Sequence, residues 1–281
     1  MDIVRRTEEL RAALAQLRAR VPRVAFVPTM GALHAGHLAL VAEGLARADA
    51  VVASVFVNPT QFAPGEDFDR YPRQEEADAR ALAGAGCALL FAPTVEEIYP
   101  PGFATSVSVA GLSDAWEGKA RPGHFTGVAT VVTRLLLLVR PDVALFGEKD
   151  WQQLVIVRRL VADLALPVHI VGVPTVRDAD GLALSSRNAY LSCKERRIAV
   201  ALPQVLQATA ERIEAGTDVA HALAAARSAL EAAGFSAVDY VALVDPETLR
   251  PLARLDRPGR LLAAARLGST RLLDNWPVGS R

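Results

Sequence analysis

The chain has 281 residues, of which 31 are basic and 31 acidic, and this zero net charge argues against a protein that holds nucleic acid by bulk charge. Two cysteines are too few for a disulfide scaffold, and the apolar runs are much shorter than the ~20 residues of a membrane span. We therefore expect a cytoplasmic protein that binds neither nucleic acid nor a membrane.

The first half of the chain alternates short apolar runs with segments of helical period. In chain order the pattern predicts strand 24–27, helix 37–47, strand 51–57, helix 75–82, strand 87–91, helix 126–139, strand 142–146, helix 151–164 and strand 168–173. Strands and helices that alternate in this way predict a parallel sheet covered on both faces. The helix at 126–139 is apolar nearly all round, so it belongs either to the core or to an interface between subunits.

The pattern changes after residue 174. Ser192–Glu195 fits a capping box that opens a helix. Thr217 and Asp218 cap a second, alanine-rich helix that stops at Gly234. Strands follow at 237–244, 260–265 and 270–273. We expect a smaller α+β domain over residues 176–281, packed closely on a domain of residues 1–175.

Three common signatures are absent from the sequence. No G-x-G-x-x-G follows the first strand, and no H-E-x-x-H occurs. Gly118-Lys119 is a near miss of the P-loop, with serine at residue 113 and alanine at residue 120. Most NAD enzymes, P-loop kinases and zinc proteases are thereby set aside.

The segment after the first strand carries two histidines at the start of the next helix. Residues 28–37 read PTMGALHAGH, so His34 and His37 lie where a helix N-terminus favours an anion. This arrangement favours a nucleotide phosphate site. Two other interpretations remain open: histidines that only cap the helix, and a zinc pair that has no third His or Cys nearby.

H-x-G-H after a first strand resembles the nucleotidyltransferase superfamily, which includes the class I aminoacyl-tRNA synthetases. The longer string PTMGALHAGH resembles the pantoate–β-alanine ligase family, and three further segments agree with it in order: residues 57–62, residues 147–153 and residues 185–188. An acidic residue is common in the family where Ala35 stands, and we expect this position to face away from the site. The resemblance implies a Rossmann-like parallel sheet that binds nucleotide and pantoate, followed by a smaller α+β lid domain.

The resemblance also implies a set of site residues. Catalytic roles fall to His34, His37, Lys149 and Arg187, with His37 as proton donor to the departing pyrophosphate. Contacts to ATP are implied for Met30, Gly31, His34, Gly36, His37, Gly147, Glu148, Lys149, Asp150, Val176, Leu184, Ser185, Ser186 and Arg187. Pantoate or β-alanine contacts are implied for Asn58, Gln61, Tyr71 and Gln153, a Mg²⁺ contact for Asp78, and added phosphate or substrate contacts for Arg121 and His124.

The activity implied is ATP-dependent condensation of pantoate with β-alanine through a pantoyl adenylate, with Mg²⁺ accompanying ATP. The family is homodimeric, so a dimer is expected. Three alternatives stay open: a related nucleotidyltransferase that stops at an adenylylated product, a nucleotide-binding regulator without catalysis, and a zinc-binding structural module.

Overall fold

The computed structural model describes residues 1–279, within which nine strands form two separate sheets. The strands are β1 (Asp2–Val4), β2 (Val24–Thr29), β3 (Ala50–Val55), β4 (Leu89–Phe91), β5 (Val143–Gly147), β6 (His169–Val173), β7 (Ala237–Val244), β8 (Gly259–Leu267) and β9 (Thr270–Val278). The first six form a parallel sheet in the order β1-β4-β3-β2-β5-β6, and the last three form the antiparallel sheet β7-β8-β9.

Helices cover both faces of the parallel sheet and also pack on the antiparallel sheet. They are α1 (Thr7–Arg18), α2 (Ala35–Arg47), α3 (Glu75–Gly84), α4 (Val95–Ile98), α5 (Glu117–Ala120), α6 (His124–Val139), α7 (Trp151–Asp163), α8 (Cys193–Ala199), α9 (Ala201–Glu214) and α10 (Val219–Ala233). Alternate strand residues point to opposite faces, so β2 sends Phe26 toward α1, α6 and α7, and Val27 toward α2 and α3. None of the helices within residues 1–279 combines the length and apolarity needed to cross a bilayer.

The predicted parallel sheet is confirmed, with strand and helix ends that differ by a few residues from the expectation. The sequence pattern did not predict β1 or α1. The strand β1 has three largely exposed residues, and it pairs with β4, which lies more than 80 residues further along the chain. Such a short exposed strand lacks the apolar pattern on which the prediction rests.

Helix α6 belongs mainly to the core. Eleven of its 16 residues are buried, and eight of these pack in the cluster that also holds Phe26 and Phe146 from the sheet. Of the two interpretations open for this helix, the structure supports the intramolecular one for most of its surface. Leu137 remains 54% exposed.

The strand order creates a crevice beside β2. This strand lies between β3, which follows it in the chain, and β5, which the chain reaches only after β4, so the strand order changes direction at β2. Open α/β sheets bind ligands at such a point, outside the carboxyl ends of the strands. The segments that follow β2, β3, β5 and β6 therefore converge on one place.

The C-terminal part packs α9 and α10 on the antiparallel sheet around its own core. The expected caps are confirmed: Ser192 and Glu195 form a capping box, and Asp218 caps α10. A further cluster joins Val155 of α7 to Ala242 and Leu262 of this sheet. The division at residues 175 and 176 stays a prediction; it falls in the loop after β6, and its range 176–281 extends beyond the described residues by two.

Candidate active site

The loop after β2 is folded around the carboxylate of Asp78, which comes from α3. Asp78 is 1% exposed, and its oxygens accept the backbone N–H groups of Ala32 at 2.9 Å and Leu33 at 2.8 Å. Gly31 has a φ of +83°, and a Cβ there would lie 2.9 Å from Asp78 Oδ2. The magnesium contact expected of Asp78 stays a prediction, whereas the observed geometry assigns this carboxylate to holding the loop.

His34 and His37 begin α2 and use their Nδ1 atoms to hold the backbone. His34 Nδ1 accepts the N–H of Gly36 at 3.1 Å, and His37 Nδ1 accepts the N–H of His34 at 3.3 Å. A neutral imidazole whose Nδ1 accepts carries its hydrogen on Nε2. Each ring therefore keeps one N–H donor for a ligand, and the two rings line the same cavity with centroids 4.2 Å apart. Ala35 between them is exposed, as expected.

Burial favours the neutral form of both rings. Burial, helped by His34 and Lys149, lowers the pKa of His37 to about 3. Burial and Lys149 also lower the pKa of His34. An ordinary histidine, with a pKa near 6.5, could take either protonation state near neutral pH, whereas burial disfavours the charged form of these two rings. A bound polyanion would reverse part of the shift, because negative charge favours the charged imidazole.

The turn Pro59–Gln61 presents Gln61 after β3. Asn58 starts the turn: its Oδ1 accepts the N–H of Thr60 at 3.3 Å, and its Nδ2 donates to Gln61 Oε1 at 3.1 Å. Helix α6 can pack on the turn because residue 127 is glycine; a Cβ on Gly127 would lie 2.3 Å from the Thr60 carbonyl oxygen. Asn58 and Gln61 are buried and line the cavity.

Arg121 and His124 hold this turn from the other side. His124 Nδ1 donates to the Gln61 carbonyl oxygen at 2.8 Å, and Arg121 Nη2 donates to the same oxygen at 3.1 Å. His124 Nε2 then accepts from Arg121 Nη1 at 3.2 Å. Burial and Arg121 lower the pKa of His124 to about 4. Both residues line the cavity, and Arg121 also donates two hydrogen bonds to the Glu66 carboxylate, at 2.8 and 2.5 Å.

The segment after β5 presents Lys149 to the cavity. A single turn, Glu148–Asp150, leads directly into α7. The Lys149 side chain is 19% exposed, and its Nζ lies 3.6 Å from Asp150 Oδ1. The Glu148 carboxylate instead pairs with Arg260 of β8 at 3.2 Å. Lys149 is therefore the positive charge that this strand end places at the cavity, as the motif predicts.

The Ser-Ser-Arg segment is tied to the loop that precedes α3. Ser185 Oγ accepts the Arg187 N–H at 3.3 Å, and Ser186 Oγ lies 3.0 Å from the Tyr71 hydroxyl. The Arg187 guanidinium binds Asp67 through two hydrogen bonds and lies over the Tyr71 ring. No local pattern indicates the role of Asp67, which lies in an acidic loop 120 residues away from Arg187.

One cavity collects most of the predicted site residues. Those that line it are Met30, His34, Gly36, His37, Asn58, Gln61, Tyr71, Gly147, Lys149, Asp150, Gln153, Val176, Leu184, Ser185, Ser186 and Arg187. Gly31, Asp78 and Glu148 are not among the lining residues. The assignment of individual ligand contacts stays a prediction.

The C-terminal sheet adds a buried ionic cluster that the sequence did not reveal. Glu117 is 6% exposed and accepts from Arg271 of β9 at 2.5 and 2.6 Å. The Tyr240 hydroxyl donates to Glu117 Oε2 at 3.1 Å, and burial raises the pKa of Tyr240. These three side chains line the cavity. Residues 117 and 271 are 154 apart, and each is an ordinary charged residue in its own local sequence, so no local signal could pair them.

Adjacent glutamines on α7 have different surroundings. The Gln152 carboxamide donates to the carbonyl oxygens of Leu112 at 2.8 Å and Ala115 at 2.9 Å, and it accepts the Glu117 N–H at 3.1 Å. Gln152 is therefore already occupied by the backbone. Gln153, the expected substrate contact, lines the cavity without such bonds among the described residues.

The strand order, the crevice beside β2 and the histidine pair at the start of α2 together define a nucleotide-binding protein of the H-x-G-H class. Comparison with known families is more specific. The family model described as Pantoate-beta-alanine ligase matches residues 2–277, and the chain belongs to this family.

Known relatives match over nearly their whole length. The pantothenate synthetase of Rhizorhabdus wittichii is 61% identical over 278 residues, which are 99% of each chain. The crystal structure of pantothenate synthetase from Thermus thermophilus has a TM-score of 0.92 at 54% identity and covers 98% of this chain and 99% of that one. A pantoate-beta-alanine ligase from Francisella tularensis, complexed with beta-gamma ATP and beta-alanine, has a TM-score of 0.84 at 32% identity, with 98% and 97% covered.

Proposed function

We propose that this chain is an ATP-dependent ligase that joins pantoate to β-alanine and releases AMP and pyrophosphate. The observation that carries the proposal is that the family's ordered motifs, spread over residues 28–188, line one cavity. The family match and the full-length relatives named pantothenate synthetase support the same activity. The Francisella tularensis relative, with its nucleotide and beta-alanine, supports the choice of ligands.

The reaction needs activation because a carboxylate oxygen is a poor leaving group at neutral pH. In the first step the pantoate carboxylate attacks the α-phosphorus of ATP, and pyrophosphate leaves. This forms pantoyl adenylate. In the second step the amine nitrogen of β-alanine attacks the acyl carbon, the C–N bond forms, and AMP leaves.

The first step builds negative charge on the phosphates, which needs donors that are already in place. The Nε2–H groups of His34 and His37 and the N-terminus of α2 supply neutral donors, while Lys149 and Arg187 supply positive charge. His37 is neutral before ATP binds, so it would act first as a hydrogen-bond donor. As the phosphates raise its pKa, it becomes able to deliver a proton to the leaving pyrophosphate.

Neutral amides suit the two hydroxyl groups of pantoate. Gln61 Nε2 lies 2.9 Å from the thioether sulfur of Met30, which is a weak acceptor that a substrate oxygen can replace. Asn58 holds Gln61 Oε1, so the free end of the amide stays directed at the cavity. Gln153 and Tyr71 complete the proposed pantoate and β-alanine contacts.

Mg²⁺ would enter with ATP and not through a cage of the protein. No cluster of three or more His, Cys, Asp or Glu side chains that could hold a metal occurs within residues 1–279. This fits an ion that is held mainly by phosphates and one or two carboxylates. Asp150 offers a half-exposed carboxylate at the cavity, beside Lys149. The ion would neutralise phosphate charge there.

The proposal also includes a lid domain and a homodimer. Residues 176–281 would act as a lid domain, since the Ser-Ser-Arg segment and Arg271 approach the cavity from that side. The chain would act as a homodimer, as the family resemblance implies, and the exposed Leu137 offers an apolar contact. Light scattering on the purified protein, which gives the molar mass in solution, tests the dimer directly.

Omission of each substrate in turn tests the activity. With ATP, pantoate and β-alanine together, AMP and pyrophosphate should appear in equal amounts, and AMP release should need β-alanine. With ATP and pantoate alone, labelled pyrophosphate should exchange into ATP. A stable adenylylated product without amine consumption would instead establish the alternative nucleotidyltransferase.

A further inference from the structure

Asn275 of β9 contacts the turn that carries Lys149. Its Nδ2 donates to two consecutive backbone carbonyl oxygens, those of Glu148 at 2.9 Å and Lys149 at 2.8 Å. Asn275 is 3% exposed and lies in the C-terminal sheet, 126 residues beyond Lys149 in the chain. A side chain from the second sheet therefore holds the backbone of a nucleotide-site residue on the first.

Arg260 of β8 fixes the orientation of the Asn275 amide. Arg260 Nε donates to Asn275 Oδ1 at 2.6 Å. A guanidinium has donors and no acceptor, so the oxygen must face Arg260 and the amide nitrogen must face the two carbonyl groups. Rotating the amide would place its oxygen against both carbonyl oxygens. The direction of these hydrogen bonds is thus determined by the chemistry of the three partners.

The same guanidinium also holds the residues on either side of Lys149. Arg260 lies 3.7 Å from the centre of the Trp151 ring, and its Nη2 reaches Glu148 Oε2 at 3.2 Å. The turn is therefore held at its side chains as well as at its carbonyl groups. The Lys149 side chain is a flexible four-carbon chain. The position of the turn's backbone therefore determines which positions its ammonium group can reach.

The preceding residue of β9 holds another segment at the cavity. Asp274 accepts two hydrogen bonds from Arg177, at 2.7 and 2.9 Å, and Arg177 follows Val176. Arg177 also donates to the Gly181 carbonyl oxygen at 3.1 Å. Two neighbouring residues of one strand thus hold the Lys149 turn and the segment that leads to Ser185.

We propose that Asn275 is a positioning residue that sets the place of Lys149 for the ATP phosphates, with Arg260 orienting its amide. The inference rests on the proposed function, because Lys149 must serve ATP. Misplacement of a catalytic group by about 1 Å can cost about 100-fold in rate. Asn275 itself need not touch the substrate for its loss to weaken ATP use.

The test compares Asn275→Asp and Asn275→Ala with the wild-type chain. Aspartate has the shape of asparagine and keeps the acceptor for Arg260, but it cannot donate to the two carbonyl groups. Gln204→Glu makes the same amide-to-acid change on the exposed face of α9 and serves as the control. Arg260→Met is a second variant, to be used if the Asn275 variants fold poorly. It keeps apolar packing on Trp151 but removes the hydrogen bond that orients the Asn275 amide.

Two readouts separate positioning from general stability. The first is KM for ATP and for pantoate, with an expected rise of about tenfold for ATP and less than about twofold for pantoate. The second uses the three lysines of the chain, since Lys119 and Lys194 are exposed internal references for Lys149. Acetylation followed by mass spectrometry should show faster labelling of Lys149 alone and weaker protection of Lys149 by ATP.

The outcomes distinguish the inference from the function on which it rests. A wild-type chain that releases no AMP would contradict the proposed function, while the labelling experiment without ATP would still test whether Asn275 holds the turn. An active wild type, together with variants that keep the wild-type KM for ATP and the wild-type labelling of Lys149, would overturn the inference. Faster labelling of all three lysines would also overturn it, because that indicates global unfolding.

Discussion

Arg187 and Asp67 form a two-bond ion pair at the edge of the cavity, with Nε–Oδ2 at 2.9 Å and Nη2–Oδ1 at 3.0 Å. This pair ties the Ser-Ser-Arg segment to the loop before α3 and leaves Nη1 of Arg187 as the donor for a ligand. The planar guanidinium can make both contacts at once, which an ammonium cannot.

Arg187→Lys should therefore lower kcat/KM for ATP by about 10- to 100-fold, even though the charge is kept. Steady-state kinetics with ATP as the varied substrate measures the effect. Arg254→Lys is the matched control, because the Arg254 side chain is 85% exposed. Activity close to that of wild type would contradict the role given to the guanidinium.

His37 and His124 predict how stability depends on pH, because desolvation lowers the pKa of both rings in the folded chain. The folded-state pKa is about 3 for His37 and about 4 for His124, both below the unfolded value of about 6.5. The unfolded chain therefore binds more protons below about pH 6.5, and stability is lost as the pH falls. As the pH falls from about 7 to about 5, each histidine should lower the free energy of unfolding by about 2 kcal/mol.

Urea unfolding at several pH values measures this dependence. His124→Asn should remove about 2 kcal/mol of the loss between about pH 7 and pH 5. His221→Asn, the same change at an exposed histidine, is the matched control. Equal slopes for wild type and His124→Asn would contradict the neutral state assigned to His124.

Gly127 is required where α6 meets the turn that presents Gln61. In Gly127→Ala the new Cβ would lie 2.3 Å from the Thr60 carbonyl oxygen and 2.8 Å from the Gln61 nitrogen. We expect a loss of about 1–3 kcal/mol of stability and a several-fold rise in KM for pantoate, because the turn must move. Thermal unfolding and kinetics with varied pantoate check both.

Gly84→Ala provides the matched comparison. Gly84 lies at the end of α3, and a Cβ there would meet nothing within 4 Å. Alanine favours helix over glycine, so this change should be neutral or stabilising by up to about 1 kcal/mol. A Gly127→Ala protein as stable and active as Gly84→Ala would show that the turn tolerates displacement.

Asp78→Asn distinguishes the two roles considered for Asp78. Asparagine has one acceptor oxygen, so it can keep only one of the hydrogen bonds to Ala32 and Leu33. Stability should fall by about 1–3 kcal/mol, while the Mg²⁺ concentration for half-maximal activity stays as in wild type. A higher Mg²⁺ requirement with unchanged stability would instead support the metal contact. Asp69→Asn, at an exposed position of the neighbouring loop, is the control.

Much of the fold was predictable because the relevant signals are local. A strand buried on both faces is a short apolar run, and a helix start has caps such as Ser192 and Asp218, so both are visible without partners. The strand β1 was not predicted because it is recognisable as a strand mainly by its pairing with β4. The order of the strands also lay beyond local pattern, since it depends on which faces the connecting helices cover.

Residue type and spacing along the chain were enough to indicate the family, the run of strands and helices, and a set of site residues most of which line the cavity. The bonding partners of each side chain became known only from the folded chain, because they come from distant segments. The fold places Asp67 on Arg187, Asn275 on the Lys149 turn and Arg271 on Glu117, contacts that span 120 residues or more. It also makes the histidines neutral, because desolvation depends on what surrounds a ring and not on its neighbours in sequence.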